Sequence, residues 1–98
     1  MSRKMKDLEV VEALAELNNG LVEPWQIEDS KLVKLFEFAD FIEAFGFMTR
    51  VALLVERHNH HPEWNNSWNR VGIALIIHDV RGLSMADFSL AAAIEKQA

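Results

Sequence analysis

Ninety-eight residues with a formal net charge of −5, half of them hydrophobic and 26% charged, fit one globular domain over 1–98 and argue against a disordered or collagen-like chain. The acidic balance argues against gripping a phosphate backbone, so no direct nucleic-acid binding is expected, and no apolar run reaches the ~18 residues of a membrane span. With no cysteine, disulfides, thiolate catalysis and cysteine zinc sites are excluded, and the chain reads as a soluble, cytoplasmic domain small enough to gain stability by self-association.

The first amphipathic pattern runs from Asp7 to Leu17, with Leu8, Val11, Leu14 and Leu17 on one helical stripe. Asn18, Asn19 and Gly20 accept left-handed backbone and end it. Pro24–Ile27 reads as a short edge strand, and Asp29-Ser30 turns it into a second strand over Lys31–Phe38. Asp40, with Glu43 three residues on, then opens a long helix to about Arg57 through a capping box. That helix carries two apolar stripes, Phe41/Phe45/Met48/Ala52/Val55 and Ala44/Phe47/Val51/Leu54, more than one sheet can cover. The second stripe therefore implies a partner surface.

Pro62 cannot continue the helix, so the segment Glu56–Trp64 (ERHNHHPEW) sits on its exit. Residues 64–77 give two more strands turning near Trp68-Asn69, with Val71, Ile73, Leu75 and Ile77 on one face and Gly72, Ala74, Ile76 and His78 on the other. Ser84 and Asp87 form a second capping box, opening a last helix through Phe88, Leu90, Ala91, Ala92 and Ile94. The order α-β-β-α-β-β-α predicts an α+β, two-layer sandwich: a four-stranded antiparallel sheet with three helices on one face.

Three of the four histidines fall within four positions, at His58, His60 and His61, and the fourth is His78. Clustered imidazoles suit proton transfer near neutral pH. They equally suit a solvated loop capping helix carbonyls, or a metal site completed by Glu56. Against the metal, adjacent histidines in an extended segment point apart, unlike the i, i+4 pair of helical zinc sites. Glu56 could orient an imidazole one turn on or pair with an arginine; capping alone accounts for Asp87; Trp64 and Trp68 fit either an aromatic wall or the core.

Taken together, Glu56, His60-His61-Pro62, Trp68, His78 and Asp87 at their fixed spacing resemble the signature of the pterin-4a-carbinolamine dehydratases. The likeness extends to FxDFxxAFGFMTRVAL over 38–53, HHPEW over 60–64 and HDxxGLSxxD over 78–87. It implies removal of water from a 4a-hydroxytetrahydropterin, giving quinonoid dihydropterin after an aromatic amino-acid hydroxylase has acted, with no metal and no cofactor. It implies His60, His61 and His78 as the catalytic set, with His61 also helping to bind the pterin. Glu56, Trp64 and Asp87 would contact substrate or orient the rings. It also implies a homodimer or homotetramer using the helix over 40–57, and admits a transcription-factor partner, which nothing in this sequence establishes. Two positions depart from or exceed the pattern. Asn59 stands where animal relatives often carry an acid, removing a charge that raises a neighbouring histidine's pKa, so a lower pH optimum is expected. His58 lies outside the signature and is read as incidental.

Overall fold

The computed structural model describes residues 4–76 and 82–98. In chain order the elements are α1 (Asp7–Asn18), β1 (Gln26–Glu28), β2 (Lys31–Glu37), α2 (Phe41–His58), β3 (Glu63–Ser67), β4 (Arg70–Leu75) and α3 (Met85–Glu95), the predicted α-β-β-α-β-β-α. The strands form one antiparallel sheet in the order β1-β2-β4-β3, with Leu32 opposite Leu75, Phe36 opposite Val71 and Trp64 opposite Ile73. The period of two then sorts the sheet. Leu32, Phe36, Val71, Ile73 and Leu75 face the helices and are buried, while Leu35 on the other face is exposed. Among the described residues no helix is long and apolar enough to cross a membrane.

Local chemistry places the turns. Asp29 and Ser30 both adopt positive φ (50° and 62°) between the paired Glu28 and Lys31, the backbone that matches strand twist in a two-residue hairpin. Pro24 stays outside the ladder, so β1 is Gln26–Glu28 instead of Pro24–Ile27. At α2, Asp40 Oδ1 accepts the Glu43 N–H (2.9 Å), but Glu43 reaches the N–H of Ala39 (3.1 Å). The box thus closes one residue earlier than Asp40.

Packing revises three sequence expectations. On α1, Leu14 and Leu17 of the predicted stripe meet the core, but Leu8 and Val11 are 70% and 64% exposed, and Val10 and Ala13 take their place. The apolar stripe is shifted toward α3, against which α1 docks. Its end differs too. Asn18 stays helical and clamps Trp25, Nδ2 donating to Trp25 O (2.9 Å) and Oδ1 accepting from Trp25 N (2.7 Å), while the positive φ falls on Gly20. On α2 the buried line is Ala44, Phe47, Val51 and Val55. Val55, from the other predicted stripe, thus joins the core, and Phe41, Phe45 and Leu53 remain exposed. The helix buried most completely is α3, whose Phe88, Leu90, Ala91 and Ile94 lie between α1 and α2. Glu95 near its C-terminal end accepts from Trp25 Nε1 (3.0 Å) and from Lys34 Nζ, pinning α3 to β2.

Candidate active site

The histidine segment begins where α2 stops. Asn59 takes left-handed backbone (φ 51°, ψ 43°), its N–H donating to Glu56 O (3.2 Å), and the His60 N–H donates to Val55 O (3.1 Å). These two bonds make a Schellman motif, which satisfies the last helix carbonyls and folds the chain back across the helix end. His60 is the residue just past that turn, and its side chain is only 11% exposed. His61 is swung outward. Its Nε2 lies 3.6 Å from Glu56 Oε1, both groups in solvent, so this pair adds little to stability.

Asp87 approaches from the opposite direction. It sits three residues after Ser84, the N-cap of α3, and its Oδ2 accepts the Ser84 N–H (2.9 Å) and contacts Ser84 Oγ (3.4 Å). Met5 N donates to Leu83 O (2.8 Å), fixing the approach to this cap. The capping box anticipated from sequence therefore uses one carboxylate oxygen. The other, Oδ1, lies 3.0 Å from His60 Nε2, and Asp87 is fully buried. The contact is off the hydrogen-bonding axis, leaving His60 Nε2 and Asp87 Oδ1 as the buried side-chain atoms without a hydrogen-bond partner among the described residues. Burial raises the Asp87 pKa above its ordinary value of 3.8, against the opposing pull of the Ser84 backbone N–H and of nearby His60. A desolvated carboxylate facing an unsatisfied imidazole nitrogen is a costly arrangement for a mere cap, and one suited to moving or holding a proton.

Two pairs thus bring together four of the six residues singled out by sequence: His60 with Asp87, and His61 with Glu56. Trp64, on β3 opposite Ile73, is half-buried against the edge of the core on the helix side of the sheet. His78 lies outside the described residues. His58, the last residue of α2, is exposed. Among the described residues no three His, Asp or Glu side chains converge as a metal ion would require. Sequence reasoning weighed Asn59 only as a missing charge and overlooked its backbone role. An Asn immediately after a helical run and before a pre-proline segment is a left-handed cap signal that was present in the chain.

Comparison with known proteins agrees with this architecture. The family described as pterin 4 alpha carbinolamine dehydratase matches residues 3–97. A protein of Rhizobium johnstonii whose provisional name is pterin-4-alpha-carbinolamine dehydratase is 47% identical over 97 residues, 97% of this chain and 94% of that one. The crystal structure of a transcriptional coactivator/pterin dehydratase from Brucella melitensis superposes with a TM-score of 0.88 at 36% identity, over 98% of this chain and 99% of the other. A pterin dehydratase-like protein identified as a RuBisCO assembly factor in the alpha-carboxysome superposes with a TM-score of 0.65 at 25% identity, over 78% and 88%.

Proposed function

This chain belongs to the pterin-4a-carbinolamine dehydratase family, and from that premise we propose that it is a hydro-lyase. It removes water from the 4a-carbinolamine of a tetrahydropterin to give quinonoid dihydropterin, in tetrahydropterin recycling. The observation carrying the proposal is the buried His60–Asp87 pair, 3.0 Å apart and contributed by different elements. Dehydration needs a proton delivered to the departing 4a-hydroxyl while another is withdrawn from a ring N–H, and imidazoles do both near neutral pH. His60 and His78 are assigned as the proton-transfer pair, and His61 as a catalytic residue that also holds the pterin. Asp87 orients His60, Glu56 orients His61 or receives pterin N–H groups, and Trp64 borders the pocket. No cofactor enters this scheme.

The whole chain, 1–98, acts as one cytoplasmic unit that self-associates as a dimer or tetramer through the exposed side of α2, where Ile42, Phe45 and Leu53 lie in solvent. The same stripe favours a second reading, docking to a protein partner, and the Brucella melitensis relative is called a coactivator as well as a dehydratase. The deciding experiment follows breakdown of synthetic 4a-hydroxytetrahydropterin with and without the protein. Acceleration over the spontaneous rate supports the lyase, and its absence leaves the docking reading ahead.

A further inference from the structure

We infer that Asn59 is the positioning residue of the site: its left-handed backbone, not its amide, turns the chain so that the His60 ring meets Asp87. Four observations carry this. The φ and ψ of Asn59 lie in the region where an L side chain crowds its own backbone, and asparagine is among the few non-glycine residues that visit it routinely. The His60 N–H bond to Val55 O closes only if the residue before it is left-handed. The Asn59 side chain itself is exposed, so packing does not explain its place. Finally, only Asn59, His60, His61 and Pro62 separate α2 from β3, and the last two are stiff, because proline fixes its own φ and confines the residue before it. A change of backbone at Asn59 therefore cannot be absorbed downstream and passes directly to the imidazoles. Asparagine reaches this conformation with less backbone freedom to lose than glycine, which suits a residue that must hold a ring in one place.

The kinetic arm of the test rests on the dehydratase reading; the spectroscopic arm does not. Asn59→Gly, Asn59→Ala and Asn59→Val are made in the full chain, with folding checked by circular dichroism. The steady-state constants of each are measured beside the imidazole 15N resonances of His60 across pH. Asn59→Gly is expected to keep kcat within about twofold. Asn59→Val should lose roughly tenfold to a hundredfold in kcat, the scale of an ångström-sized misplacement, with KM changed less than about threefold and the His60 ring resonances displaced from wild type. Should the valine variant fail to fold, Asn59→Ala, with less steric strain, must show the same direction at smaller size. The inference is overturned if Asn59→Val keeps wild-type kcat and His60 resonances, or if Asn59→Gly loses as much as Asn59→Val, which would make the amide the working part. A wild-type protein without dehydratase activity defeats the proposed function alone, since the resonances still report whether His60 moved.

Discussion

At the scale of single residues, Asp87 serves two masters through its two oxygens. Oδ2 completes the cap of α3, and Oδ1 faces His60 in a site closed to solvent. Its raised pKa has a signed consequence. Below 3.8 the carboxyl is protonated in both folded and unfolded chains. As pH rises the unfolded form ionises first, so stability falls until the folded carboxyl follows, and the deficit then persists at neutral pH. Asp87→Asn cannot ionise. Its stability relative to wild type should therefore increase from below pH 3.8 to neutrality, as read by urea denaturation at the two ends; a constant difference would contradict the assignment. For His60, replacement by alanine is expected to lower kcat by about a hundredfold to ten-thousandfold, the usual contribution of a positioned acid or base. Single-turnover kinetics would report the loss, and circular dichroism should be unchanged.

At the scale of elements, the termini of two helices build the proposed site, so the caps there carry more than local stability. The α2 N-cap illustrates the ordinary value of such a group. Asp40→Ala removes the bond to the Glu43 N–H and should cost about 1 kcal/mol of unfolding free energy, measured by denaturant titration, while leaving kcat near wild type because the site lies at the other end of the helix. The caps at Asn59 and Ser84 differ in kind. There the same devices aim His60 and Asp87 at each other from opposite ends of their helices, α2 at its C-terminus and α3 at its N-terminus. The macrodipole of α3 favours negative charge at Asp87, one influence that offsets the burial of a carboxylate.

At the scale of the whole molecule, the sheet and α3 absorb the core, and α2 is left with one side uncovered. Ile42 and Leu53 are 80% and 66% exposed, which is costly for a free monomer in water. Introducing Ile42→Glu with Leu53→Glu should shift the sedimentation coefficient to that of a single chain while the far-ultraviolet spectrum is preserved. An unchanged coefficient would overturn the proposal that α2 carries a self-association surface. The element order, the Asp29-Ser30 hairpin, the buried face of β4, the Asp40 N-cap and the Ser84–Asp87 capping box were legible in the chain because periodicity, turn residues and caps act over a few positions. Which side of α1 is covered, that α3 and not α2 is the most enclosed helix, and that His60 meets Asp87 were decided by tertiary packing. Periodicity says which residues share a face, but not which face another layer will cover, and a 3.0 Å approach between distant segments follows from how the helices stack on the sheet.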